Sequence, residues 1–183
     1  MRERMRVALI AMVVLAKSDL LYAADSLPVL TAAVHNYADV PGDVLTEAEA
    51  EASRIFRHAG VRLLWVGSLA SQARVRVHIL SGPMAARTRT RSEVLGLATV
   101  DCGMAWVLYD RVVDTSNSVT VRTSRVLGLV MAHEIGHVLL AGRGHSHVGL
   151  MKPRLDPEVL RTGLIGFTPK ERLEIRASGL LSQ

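Results

Sequence analysis

The run His133-Glu134-Ile135-Gly136-His137 sets two imidazoles four residues apart, with a carboxylate next to the first. On a helix, residues four apart lie about 40° apart around the axis. His133 and His137 therefore point the same way, one turn apart, and can grip one metal ion. Glu134 sits beside them and can reach a water on that metal. This is the H-E-x-x-H arrangement, in which two histidines bind Zn2+ and the glutamate works as a general base.

The surrounding residues 126–140 read VLGLVMAHEIGHVLL, apolar on nearly every side. Such a pattern marks a helix buried on most of its surface. The only ionisable groups in it are His133, Glu134 and His137. Burying a charge or an unpaired imidazole is costly unless it is hydrogen-bonded or bound to metal, and one metal ion satisfies all three groups together. The alternative is a pair of core histidines bonded to backbone, with the glutamate pairing one of them. Gly128 and Gly136 each cost about 1 kcal/mol in a helix interior. They predict a close approach of a neighbouring strand or loop.

A catalytic zinc takes three protein ligands and leaves one position for water. Gly142 reads as the residue past the helix end that turns the chain, bringing His145 or His147 back toward the first two imidazoles. The whole stretch, HEIGHVLLAGRGHSHVGLM, resembles the metzincin clan of zinc metallopeptidases. Within that clan it is similar to the matrixin-like pattern H-E-x-x-H-x-x-G-x-x-H followed by a methionine turn. Gly144-His145-Ser146 looks like the Gly-His-Ser of that pattern, and Met151 like the methionine beneath the zinc. The layout is also similar to bacterial secreted proteins that carry HEIGH, HS and GIM signatures. The close match spans residues 130–152, with a looser one over the rest. One departure is plain: His145 lies eight residues after His137, where the pattern has six, and Leu140 and Arg143 occupy the pattern's Gly and His positions. Two extra residues in the turn account for both. His145 is the expected third ligand. His147 is an alternative, and Glu158, at the spacing of a gluzincin carboxylate, is another. Glu158 follows Asp156-Pro157 and belongs in the first turn of a short helix.

The resemblance implies an α/β (α+β) zincin fold: a twisted mixed sheet, an active-site helix and a short C-terminal helical part. It implies a secreted zinc metalloendopeptidase that hydrolyses peptide bonds through a zinc-bound water, with Glu134 as general base. His133, His137 and His145 would be the metal ligands, Met151 the floor under them, and a protein or peptide the substrate. It also implies that an edge strand before the helix binds substrate backbone by strand addition, for which residues 105–110 are the candidate; an ordinary core strand is the alternative reading of that segment, and Tyr109 could reach the cleft. Other readings are a non-catalytic zinc-binding domain, a closed site filled by both His145 and His147, and a zinc amidase acting on non-protein amides.

A chain of 183 residues with 49% apolar content reads as one domain with a real core. Residues 1–24 read as a secretory signal. Arg2, Arg4 and Arg6 precede an unbroken apolar run over 7–16, which Lys17-Ser18-Asp19 ends. That run is too short to span a bilayer. Cleavage after Ala16, Ala23 or Ala24, or retention as an anchor, are all compatible. The mature domain, 25–183, is then secreted or periplasmic, not inserted in a membrane, and monomeric. Removing four basic and two acidic residues from a formal +5 leaves +3, too little to argue for nucleic acid. The basic run at residues 87–91 reads as a solvated loop. Cys102 is the single cysteine, so no intrachain disulfide forms. It reads as a buried structural thiol.

Along the chain, residues 31–37 predict a first strand. Thr46-Glu47-Ala48-Glu49 reads as a capping box opening a helix that ends at Gly60. Strands follow at 61–66 and 75–80, a loop at 82–92, and strands at 95–100 and 105–112. Residues 114–118 read as a polar loop before the helix of the histidine motif. Thr168-Pro169-Lys170-Glu171 is a second capping box with Pro at N1, starting a last helix through Ala177. His35, His58 and His78 lie on other elements and read as structural.

Overall fold

The computed structural model describes residues 27–163 and 165–182. The secretory signal expected at 1–24 lies outside them. Among the described residues no helix is long and apolar enough to cross a membrane.

Five strands form one sheet: β1 (Val29–Asn36), β2 (Arg62–Val66), β3 (Val75–Leu80), β4 (Gly96–Thr99) and β5 (Met104–Leu108). Their spatial order is β2-β1-β3-β5-β4. β1, β2, β3 and β5 run parallel, and β4 lies antiparallel to β5 at the edge. The helices are α1 (Gly42–His58), α2 (Gly82–Ala86), α3 (Tyr109–Val119), α4 (Thr123–Leu139), α5 (Pro157–Thr162) and α6 (Pro169–Arg176). The mixed α/β class, with a five-stranded, mostly parallel sheet and packed helices, is as the sequence led us to expect.

Alternation decides the faces. Val75, Val77 and Ile79 of β3, with Ala105 and Val107 of β5, are fully buried and join α1 and α4 in the main core. α1 contributes Ala48, Ala52, Ile55 and Phe56, a helical stripe. Along α4 every residue from Val126 to Gly136 is buried, as its all-round apolar pattern requires. Gly128 is where α1 crosses it: a Cβ there would lie 2.6 Å from the Ala48 carbonyl oxygen. The neighbour is thus a helix, not the strand or loop that its glycine suggested.

The opposite sheet face carries a cross-strand row. His35 pairs with His78 and His78 with Trp106. The imidazoles stack with centroids 4.7 Å apart, Trp106 lies 6.1 Å beyond, and Tyr37 stacks over the same row. These two histidines lie on the face away from α4.

Several local expectations are corrected. α1 starts at Gly42, four residues before the expected cap. Val44 and Leu45 pack against the core, so the extra turn gains burial. Thr46 then bonds back to the Gly42 carbonyl instead of capping. The strand expected at 105–112 stops at Leu108, and the loop expected at 114–118 lies inside α3. There Val112, Ser116 and Val119 are buried at helical spacing, which outweighs the polar composition. α2 occupies the start of the loop expected at 82–92, with Pro83 in its first turn. Residues 105–110 do not form an edge, because β5 is flanked by β3 and β4. Cys102 is exposed rather than buried, with its Sγ 3.1 Å from the Thr99 hydroxyl.

Candidate metal centre

α4 presents His133 and Glu134 from its buried side, 9% and 5% exposed. Beyond α4 the chain reverses through two consecutive left-handed residues, Ala141 (φ 52°) and Gly142 (φ 70°). Gly142 N–H bonds to the His137 carbonyl at 3.1 Å, and Arg143 pairs with Glu174 of α6 at 3.0 Å. This turn absorbs the two extra residues and returns His145 to the helix.

Three imidazoles meet there. Nε2 of His137 lies 3.0 Å from Nε2 of His133 and 3.3 Å from Nε2 of His145. Nitrogens bound tetrahedrally at about 2.0–2.1 Å from zinc lie about 3.3 Å apart, so the spacing fits one ion. The protonation pattern points the same way. Nδ1 of His133 is 2.7 Å from the Leu150 carbonyl oxygen, which can only accept. The proton of neutral His133 is therefore on Nδ1, and Nε2 offers a lone pair. Burial, with the nearby imidazoles His137 and His145 adding to it, pushes the His133 pKa down to about 4 despite that carbonyl. Burial also lowers His137, against a backbone hydrogen bond to Arg143. A cation among the three Nε2 atoms would take a lone pair from each. The triad can hold a metal ion.

The remaining expected residues fall as follows. His147 is exposed and outside the group of three. Glu158 sits in the first turn of α5, which Asp156 caps, and pairs with Arg161. A four-histidine closed site is not what the described residues form. Met151 is buried directly under α4: a Cβ on Gly136 would lie 2.8 Å from its Sδ and 2.8 Å from Phe167 Cε1. Gly136 is the gap that lets the methionine and the phenylalanine close beneath the histidines. Tyr109 does not line the cleft.

Glu134 faces a cavity of about 520 Å3, together with His133 and His145. Its walls are residues 92–96, leading into β4, and residues 152–155, with Val130 at the base. Burial raises the Glu134 pKa to about 8. β4 runs hard against it, since a Cβ on Gly96 would lie 2.5 Å from Glu134 Oε1.

Three supports were not visible in the motif. The Leu150 carbonyl sets the His133 tautomer. Arg111 holds the wall by donating to the carbonyls of Arg91 and Val94 and to the Thr90 hydroxyl. Glu171, 4% exposed, uses one oxygen in the α6 capping box and the other to accept the Ser146 hydroxyl. The capping box was legible. The signal for its second role was a serine directly after His145.

Neither any protein-family model nor any curated protein matches the sequence. Among solved structures, the chain is similar to a zinc-dependent peptidase from Methanocorpusculum labreanum, at 16% identity and a TM-score of 0.50, over 79% of this chain and 99% of that one. It also aligns with myroilysin at 15% identity and a TM-score of 0.35, over 78% of this chain and 70% of that one. The first likeness establishes a shared fold.

Proposed function

We propose that this protein is a zinc-dependent metalloendopeptidase that cleaves peptide bonds of a protein or peptide substrate. One observation carries the reading: three imidazole Nε2 atoms converge beside a buried carboxyl at the floor of an open cleft. The zinc-dependent peptidase of similar fold supports it.

His133, His137 and His145 would hold the ion. Bound there, zinc would activate a water molecule and polarise the scissile carbonyl as a Lewis acid. Glu134 takes the proton of the attacking water and delivers it to the leaving amine. Its pKa near 8 in the protein alone marks a carboxyl that holds a proton firmly once it has one. Beside a divalent cation the same carboxyl ionises more readily, so it can act as base first and acid second. β4 pairs with β5 on one side only. Its outer edge offers backbone groups to an extended peptide, next to Gly96 and Glu134. We place the mature protein outside the cytoplasm on the strength of the signal-like residues 1–24.

The test is the metal content of the purified protein, followed by peptide hydrolysis by wild type and Glu134→Gln. The expected result is about one zinc per chain in both, with turnover lost in the variant. A folded protein that takes up no zinc, or a zinc-loaded Gln variant that still cleaves, overturns the reading.

A further inference from the structure

A second cavity, about 530 Å3, shares Lys152 and Arg154 with the cleft. The segment carrying them is thus a ridge, with the metal centre on one side and this groove on the other. The groove floor is apolar: Ile55, Ile165 and Phe167 line it and are almost fully buried. Its charged lining is one-sided. Three cations, Lys152, Arg154 and Arg172, line it beside one carboxylate, Asp156, and that carboxylate accepts the Glu158 N–H as the cap of α5. Lys152 and Arg172 have no ion pair among the described residues. Arg154 reaches across the cleft mouth to Glu93 at 3.6 Å. Both partners are well exposed, so the pair is weak and a competing carboxylate can displace it.

We propose that this groove is a second substrate-binding site, continuous with the cleft, for a segment of the polypeptide substrate that carries acidic side chains beside apolar ones. The inference rests on the peptidase reading above. The peptide leaves the cleft over Lys152 and Arg154, exchanges Glu93 for its own carboxylate, and lays apolar side chains along the groove. Charge on the ridge and apolar area on the floor would then select substrates by sequence some residues away from the cleaved bond. The cleft itself reads only the residues next to that bond.

The test separates binding from cleavage. A fluorescent core peptide is extended, at either end, with Asp-Leu repeats, Ser-Leu repeats or Lys-Leu repeats. Equilibrium binding to zinc-loaded Glu134→Gln protein is followed by anisotropy. We expect one acidic extension to bind about 10-fold tighter than its serine counterpart, with the advantage shrinking as salt rises. Arg172→Glu, checked for an unchanged melting temperature, should erase that advantage. If it does not fold, Arg172→Gln should halve or better the preference. Equal affinity for all three extensions, or an acidic preference that survives Arg172 substitution, overturns the groove. Absence of hydrolysis of every peptide by zinc-loaded wild type would instead count against the peptidase reading, and the binding data would still read the groove.

Discussion

Ser146 donates its hydroxyl to the buried carboxylate of Glu171, 25 residues away in sequence. Ser146 N–H also bonds to the Met151 carbonyl at 2.8 Å. The residue directly after His145 is thus fixed from both sides, by the capping box of α6 and by the methionine under α4. Groups that orient metal ligands typically contribute roughly 10–100-fold to affinity. Ser146→Ala and Glu171→Gln should each weaken zinc binding by about that factor, read by competition with a chelator. Helix content should be unchanged for Ser146→Ala. Affinity equal to wild type in both would mean that the contact only staples the C-terminal helix.

The third ligand can be settled by removal. His145→Ala should abolish stoichiometric zinc, because two imidazoles remain where three converge. His147→Ala and Glu158→Ala should keep it, since neither belongs to the group. Zinc analysis of the three purified variants decides the matter. Loss of metal from the His147 or Glu158 variant alone would reassign the site.

Gly96 gives a sharper probe of Glu134. The three atoms nearest an added Cβ all belong to Glu134, the closest being Oε1 at 2.5 Å. Gly96→Ala should therefore retain zinc yet lose activity by about 10²-fold, the usual consequence of displacing a reacting group by an ångström. Retained turnover would show that Glu134 can step aside at no cost.

Outside the cleft, Glu51 ties α1 to α4. It accepts two hydrogen bonds from Arg54 at 2.8 Å and faces Arg125 at 3.6 Å. The Arg54 hydrogen bonds, foremost, hold its pKa below the ordinary 4.5. A depressed carboxylate pKa stabilises the fold above the unfolded value and loses that stabilisation as pH falls through the folded one. Glu51→Gln should lower stability by about 1 kcal/mol near neutrality. The gap between variant and wild type in thermal melts should close as pH drops below 4.5. A gap that stays constant with pH would assign the loss to packing against Gly128.

What the sequence shows and hides follows from range. The chemistry of α4 is legible because its information lies within one helical turn, in the spacing of His133, Glu134 and His137. The α6 cap is legible for the same reason. The identity of the edge strand is not, because it depends on which segment β5 pairs with on each side. Residues 96–99 and 104–108 look alike as short apolar runs, and only the sheet order separates them. The capping signature at Thr46 fails because burial of Val44 and Leu45, a tertiary gain, pulls the helix start upstream. The Leu150 carbonyl leaves no trace in side-chain identity at all, since any residue there would supply it.

The turn that brings His145 home has a consequence for the life of the chain. Residues 141–145 are all exposed and pass through two left-handed residues, one of them an alanine, a conformation that disfavours L side chains. The Gly142 N–H bonds to the His137 carbonyl and Arg143 pairs with Glu174, and an ion held by the triad would close a ring from His137 to His145. Emptying the triad would remove that closure and leave the loop more open to local unfolding and cutting. Metal binding and resistance to digestion would then be linked. Proteolysis of the 141–145 loop would report the fraction of chains that hold an ion.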